Sequence, residues 1–264
     1  MNDLMQNNEI LRQLSARKSV RAFTDRPIEP EVKRAILEAA AQAPTAGCQQ
    51  LYTILDITDP QLKQQLAVTC DNQPFIAQAP MVLVFCADCK YWPDAYREGG
   101  CSPRPAGVGD LLLAVSDTNI AAQNAVTAAW ALGVGSCYIG DVMEQYEAHR
   151  RLLNLPDHVF PAAMLVFGYP TDQQLQRPKP ARFALEDIVQ QNTYKPRTGA
   201  QLRQMFERRR GLLDYEAWVA KFSAFKYDSD FSREMTRSVA EYLRQFAPFR
   251  EQDRPSAASA TYPI

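Results

Sequence analysis

The sequence predicts an α+β domain built in three layers. Helical and strand-like segments alternate in a mixed order, which is the pattern of a sheet with helices packed against it. The run Met81-Val82-Leu83-Val84-Phe85-Cys86 is apolar at every position, so it reads as a central strand covered on both faces. The stretch from Asp110 to Leu132 is helical in pattern and apolar or small nearly all round through its middle. Such a helix is buried on most faces, at the centre of a subunit or of a dimer. Neither GxGxxG nor GxxxxGK[ST] occurs, which counts against a Rossmann or P-loop site.

The elements follow in order. A first helix is expected over Asn8 to Ala16. Pro30 is a good first-turn residue, and Val32, Ala35, Ile36, Ala39, Ala40 and Ala43 recur at helical spacing until Pro44 stops them. Residues 45–50 form a loop of small and polar groups that leads into a strand around Tyr52 to Ile57. Asp59-Pro60 opens another helix, with Asp as cap and Pro in the first turn. Residues 90–108 combine Gly, Pro and aromatics and read as an excursion over the surface. Gly133 caps the long helix, and Ser136 to Ile139 is a short strand ending at Gly140-Asp141. Met143 to Leu153 is expected to be helical, and Ala162 to Phe167 is a last strand before the Gly168-Tyr169-Pro170 turn. From about Ala200 the chain becomes charged, aromatic and helical. Met235, Val239, Tyr242, Leu243 and Phe246 mark an apolar stripe that should dock on the body or on a partner. The expected organisation is one unit over residues 1–198, a helical extension over 199–250 and a mobile tail over 251–264.

The chain has 264 residues, 46% of them hydrophobic and 22% charged, enough for a substantial core. Its 29 basic and 30 acidic side chains leave no global field to recruit nucleic acid or an anionic membrane. No apolar run is long enough to span a bilayer, and the N-terminus lacks the pattern of a signal peptide, so a soluble cytoplasmic protein is expected. The six cysteines are expected to be reduced. Cys86 and Cys89 have the spacing of half a metal or redox site, but there is no second pair and no adjacent histidine, so no metal site is expected. His149 and His158 are expected to be ordinary surface or loop residues.

The chemistry-bearing signal is basic. Ala16-Arg17-Lys18-Ser19-Val20-Arg21-Ala22-Phe23 places three cations and a hydroxyl in five residues, and Arg177-Pro178-Lys179-Pro180-Ala181-Arg182-Phe183 repeats the theme far downstream. Forked and point-charge donors of this kind grip an anion, and two such clusters suggest one phosphate held from two sides.

Together with Ala43-Pro44-Thr45-Ala46-Gly47-Cys48-Gln49, Ala121-Ala122-Gln123-Asn124 and Gly133-Val134-Gly135-Ser136-Cys137-Tyr138-Ile139-Gly140-Asp141, these segments resemble the nitroreductase family of flavin-dependent oxidoreductases. They stand in the family's order over roughly residues 10–195. The resemblance implies a three-layer α/β/α fold with a mostly antiparallel sheet, and FMN bound at a homodimer interface. It implies that Arg17, Lys18, Ser19 and Arg21 hold the ribityl phosphate and the pyrimidine side of the ring, and that Lys179 and Arg182 form a second phosphate clamp, with Arg177 as a substitute. Pro44, Thr45, Ala46 and Gln49 match a loop that reaches the flavin from the partner subunit, although many relatives carry serine and asparagine there. Ile139 and Gly140 match the segment whose backbone passes the flavin's central edge.

The flavin then carries the chemistry, and no acid–base pair is required. NADPH or NADH delivers hydride to the ring, and a small-molecule acceptor such as a nitroaromatic or quinone takes it from the same place, with ping-pong kinetics. Tyr91, Trp92, Tyr96 and Arg97 are candidates to stack on a flat substrate, and Arg104 is a candidate for the nicotinamide cofactor's phosphate. Two alternatives remain open: a reductive dehalogenase or dehydrogenase on the same scaffold, and a non-catalytic flavin-binding redox sensor with Cys86 and Cys89 as its switch. Cys48 is read as a small packed residue or as a reactive thiol beside the flavin.

Overall fold

Alternate residues of one strand feed two separate cores. A computed structural model describes residues 7–207 and 209–248. In it, β2 (Met81–Asp88) sends Met81, Leu83 and Phe85 to one face and Val82, Val84 and Cys86 to the other. The same alternation in β4 (Val159–Gly168) sends Leu165 and Phe167 one way and Met164 and Val166 the other. Both strands are buried at every residue, which is why they read as continuous apolar runs rather than as alternating ones.

β1 (Tyr52–Asp56) and β3 (Gly135–Ile139) flank this pair in the order β1-β2-β4-β3, and all three pairings are antiparallel. Pro161 sits inside β4 because the register shifts opposite Phe85 and Cys86, and a bulge tolerates a residue without an N–H.

On one face lie α2 (Pro30–Ala41) and α6 (Val108–Ala131), meeting the sheet through Ile36, Ala40 and the alanines 121, 122, 125 and 129 of α6. The other face carries α3 (Pro60–Thr69), α4 (Pro74–Gln78) and α7 (Tyr146–Leu152). Asp59 caps α3 by accepting from the Gln61 N–H, and Gly133 follows α6 at φ +77°. The fold is the α+β three-layer arrangement expected from the sequence.

Two segments differ from the sequence reading, and two others sharpen it. The excursion after residue 90 contains a helix, α5 (Tyr91–Glu98), with Pro93 tolerated in its first turn. Where a helix was expected from Met143, Gly140–Met143 forms a 3₁₀ turn and α7 begins only at Tyr146, after Gln145 takes a left-handed conformation. The long helix is not buried on every side: Leu112, Leu113 and Ile120 of α6 are exposed, and so are Ile10 and Leu14 of α1 (Glu9–Ala16), which packs on α6. The stripe on the last helix, α12 (Asp230–Leu243), docks on the body. Tyr242 and Phe246 are buried with Leu111, Ala114 and Phe160, and Tyr242 meets Phe160 and Tyr146 edge-on. Between β4 and α12 lie α8 (Asp172–Gln176), α9 (Leu185–Ile188), α10 (Gly199–Phe206) and α11 (Tyr215–Lys226). The expected tail over 251–264 lies outside the described residues.

Candidate active site

α1 ends at Ala16, and the next residues run extended along the free edge of β3. Val20 N–H donates to Ser136 O at 2.9 Å, and Ser19 pairs with Ser136 in a parallel bridge. Lys18 and Val20 turn inward and are buried. Val20 fits only because residue 135 is glycine, where a Cβ would stand 2.6 Å from Val20 Cγ2. Gly168 does the same for Phe23, which a Cβ would meet at 2.7 Å. Neither glycine shows a packing role in the sequence, because the residue each one accommodates lies more than a hundred positions upstream.

Arg17, Ser19 and Arg21 alternate with these buried residues, and all three side chains act on the Cys137 thiol of β3. Burial pushes that thiol up, and the Arg21 charge and the Ser19 contact partly oppose it. The downstream basic segment comes to the same place. Lys179 donates to Ser15 O at 2.6 Å, at the electronegative end of α1. Burial lowers the Lys179 pKa, and the neighbouring Arg17 and Arg182 charges lower it further. Arg177 donates to Ser19 O at 2.7 Å, while its Nε is buried without a partner. Lys18 is placed differently from its neighbours: its ammonium donates to Leu175 O at 2.6 Å and to Arg177 O, so it fastens the downstream segment rather than facing the open surface.

Arg17 and Arg182 thus both repel Lys179, and Arg177 two residues before it keeps an orphaned guanidinium N–H. A phosphate dianion relieves both conditions, so the donor set fits such a group.

The loop after Pro44 is organised by a residue that sequence reasoning missed. Asp117 of α6 is 3% exposed. Its carboxylate accepts from the Thr45 hydroxyl, from Ala46 N–H at 3.1 Å and from Leu51 N–H at 3.4 Å. Thr45 Oγ1 in turn accepts from Gln50 N–H at 2.7 Å. Gly47, Cys48 and Gln50 all have positive φ near 55°, so the loop is held in a conformation that costs energy for the two residues with side chains. An aspartate within the largely apolar middle of this helix was the available signal.

Tyr91 and Trp92 serve the same loop, donating to Gln49 O at 2.7 and 2.8 Å. Gln49, Trp92, Pro93, Tyr96, Pro103 and Arg104 line a cleft of about 320 Å³, and Gln49 Nε2 reaches Tyr96 Oη at 3.4 Å. Arg104 is bound to both oxygens of Asp110 at 2.6 and 2.8 Å. Arg97 pairs with Asp94.

Ile139 is buried at the end of β3, and Gly140 is exposed at the start of the 3₁₀ turn. A Cβ at Gly140 would meet only Met143 Cε, at 3.9 Å. The surface over Gly140 is therefore open to an approaching ligand.

Burial disfavours the thiolate that a redox switch at Cys86 and Cys89 would need. Cys86 and Cys89 are buried, and burial pushes both up to about 12, so neither is a thiolate at neutral pH. Cys48 is exposed rather than packed. His149 is also not a surface residue: it is fully buried, with Nδ1 2.9 Å from Val142 O and Nε2 2.7 Å from Thr69 Oγ1.

An edge strand with two basic segments beside it, in a three-layer antiparallel scaffold, defines an α+β domain with a cationic surface at the edge of its sheet. Comparison with known families specifies it: residues 14–169 match the nitroreductase family, and the chain belongs to that family. It is 36% identical over 184 residues to the oxygen-insensitive NADPH nitroreductase of Salmonella typhimurium, covering 69% of this chain and 73% of that one. It is 33% identical over 189 residues to an FMN reductase [NAD(P)H] of Bacillus subtilis, covering 71% and 75%. The solved structure of NfrA2 from B. megaterium superposes with a TM-score of 0.78 at 26% identity, over 91% of this chain and all of the other.

Proposed function

We propose that this chain is an FMN-dependent oxidoreductase that takes hydride from NADPH or NADH and delivers it to a nitroaromatic, quinone or similar acceptor. The observation that carries this reading is that Lys179 and Arg177 fasten to Ser15 and Ser19 of the first basic segment, with the Arg17 and Arg182 charges acting on Lys179 and the Arg177 Nε left unpartnered. Relatives named as an NADPH nitroreductase and an FMN reductase support the reductase activity and its cofactors. Bound FMN supplies a ring that accepts and returns hydride.

The chain's own residues bind and orient. Arg17, Lys179, Arg182 and Arg177 hold the phosphate, and Ser19 and Arg21 hold polar groups of the ring further along the same extended segment. Lys18 acts through others, fastening residues 175–177 so that Arg177 is in place. Ile139 and Gly140 offer backbone to the ring where no side chain intervenes. Pro44, Thr45, Ala46 and Gln49, shaped by Asp117, form a rigid loop for the ring of a second subunit. In the cleft, Tyr96 and Trp92 provide flat surface for an aromatic acceptor or nicotinamide, with Tyr91 holding the wall and Arg104 at its rim. One shared place for donor and acceptor gives ping-pong kinetics.

The working unit is a homodimer. Its support is the exposed apolar residues of α1 and α6, which pack on each other, with Ile10 67% and Leu112 62% exposed. Residues 1–198 form the flavin-binding unit and 199–250 its helical extension. Among the described residues no helix is long and apolar enough to cross a membrane. Six free cysteines support a reducing, cytoplasmic setting.

Steady-state rates at several fixed acceptor concentrations test the reading. Parallel double-reciprocal lines for NADPH are expected. Intersecting lines would remove the shared site, and Lys179→Ala with unchanged FMN affinity would remove the phosphate clamp.

A further inference from the structure

A second cluster of like charges lies beyond the other end of β3. Asp71, Asp141 and Glu144 each place a carboxylate oxygen within 4.8 Å of the others. Asp71 follows the C-terminus of α3, Asp141 lies in the 3₁₀ turn after β3, and Glu144 ends that turn. Asp141 accepts from Gln73 Nε2 at 2.8 Å. Glu144 differs from both of its neighbours. It is 1% exposed, and its Oε1 is buried with no hydrogen-bond partner. A buried carboxylate beside two others is costly unless something neutralises it. Burial, followed by the Asp71 and Asp141 charges, pushes the Glu144 carboxyl up to about 8.

The nearby cations do not do this work. Arg237 is bound by both Glu234 and Glu147, and Arg150 by Asp157. Outside the cluster a cleft is lined by Asp71, Glu144, Asp230 and Glu234 against Arg233 and Arg237, so acidic groups are in the majority along the way in.

We propose that Asp71, Asp141 and Glu144 form a binding site for a hard divalent cation of calcium's size. The donor set is all oxygen, with neither thiolate nor imidazole among the three, which favours a hard ion over zinc or copper. Calcium takes oxygens at about 2.3–2.6 Å, so oxygens on opposite sides of it stand up to about 5 Å apart, and the cluster's spacing accommodates that. Water completes the shell from the exposed side, where Asp71 lies. The bound ion ties the end of α3 to the 3₁₀ turn that begins at Gly140, and so stiffens that turn from beneath.

The test is thermal melting of the full chain with its flavin bound, near pH 8, in millimolar CaCl₂ and again after EDTA, with calorimetric titration of Ca²⁺ for the affinity. The wild type is expected to melt higher in CaCl₂ and to return in EDTA. Asp71→Asn and Glu144→Gln are each expected to weaken Ca²⁺ binding by about tenfold or more, the size of effect that losing a ligand contact produces. Asp71 has φ +58°, a conformation asparagine adopts readily, so Asp71→Asn keeps the fold and decides the matter even if Glu144→Gln does not. No Ca²⁺ effect on the wild type overturns the proposal. An equal effect on wild type and Asp71→Asn also overturns it, because the ion then binds elsewhere.

Discussion

Two like-charged groups stand at the two ends of β3, and they are built in opposite ways. The cationic group is half open, and its members spend their hydrogen bonds on carbonyls: Lys179 on Ser15 and Arg177 on Ser19. The acidic group closes over Glu144, whose carboxyl has a buried oxygen with nothing to bond. The first is a cradle organised by the main chain, and among the described residues it leaves its positive charges without an acidic side chain to balance them. The second is held together by the packing of its backbone and carries its electrostatic cost unrelieved. The difference shows that a charge cluster's partners, more than its charge, reveal what it is prepared to receive.

The largest expected effect attacks the cradle's foundation. Gly135→Ala places a Cβ 2.6 Å from the buried Val20 and should push the basic segment off β3. We expect a loss of about 3 kcal/mol in urea unfolding, the upper range for overpacking, together with loss of bound flavin. Gly140→Val is the contrasting change: its Cβ has space within the chain, so stability should hold while flavin binding falls. If both variants behave alike, the distinction between a packing glycine and a ligand-facing one fails.

A second comparison sets two buried carboxylates side by side. Asp117 is satisfied by Thr45, Ala46 and Leu51, so Asp117→Asn should turn a donor toward donors and cost about 2 kcal/mol, read as a lower urea midpoint. Glu144→Gln removes no hydrogen bond and takes away a charge that burial and its acidic neighbours disfavour, so without Ca²⁺ it should raise the urea midpoint.

Arg21→Ala should weaken FMN binding by about 1.5–3 kcal/mol, the usual cost of losing a charge-assisted contact, measured by fluorescence titration of the apoprotein. Unchanged affinity would place Arg21 outside the site.

The smallest expected effect concerns His149. Burial lowers its pKa below the ordinary value, and hydrogen bonds to Val142 and Glu144 main-chain groups only partly restore it. A lowered folded pKa means that the unfolded chain binds the proton more readily. The neutral side chain's contribution is therefore present above about pH 6.5 and is lost as pH falls below it. Wild-type stability should decline on acidification through that range, and His149→Gln should flatten the decline.

The cationic group was legible in the sequence, and the acidic group was not. Arg17-Lys18-Ser19-Val20-Arg21 is contiguous, and its extended geometry sorts alternate residues to the two sides by chain period alone. The continuous runs of β2 and β4 likewise declared a doubly covered sheet. Asp71 comes from the turn after α3, and Asp141 and Glu144 from the 3₁₀ turn after β3, where single acids are ordinary, so only the packing of α3 against that turn brings them together. Lys18 shows the opposite limit: its charge marked it for an anion, but its inward position in the alternation commits it to carbonyls. The packing role of Gly135 and the bonding role of Asp117 were not legible because what each accommodates lies far away along the chain. The same holds for His149, whose burial depends on Thr69 in a different helix.

The central claim is that the basic cradle holds a flavin which nicotinamide reduces. The most direct test is the visible spectrum of the purified protein under anaerobic titration with NADPH and then NADH. Flavin bands that bleach stoichiometrically are the expected result. Flavin that stays oxidised with both donors, or a protein that neither retains nor rebinds FMN, would contradict it.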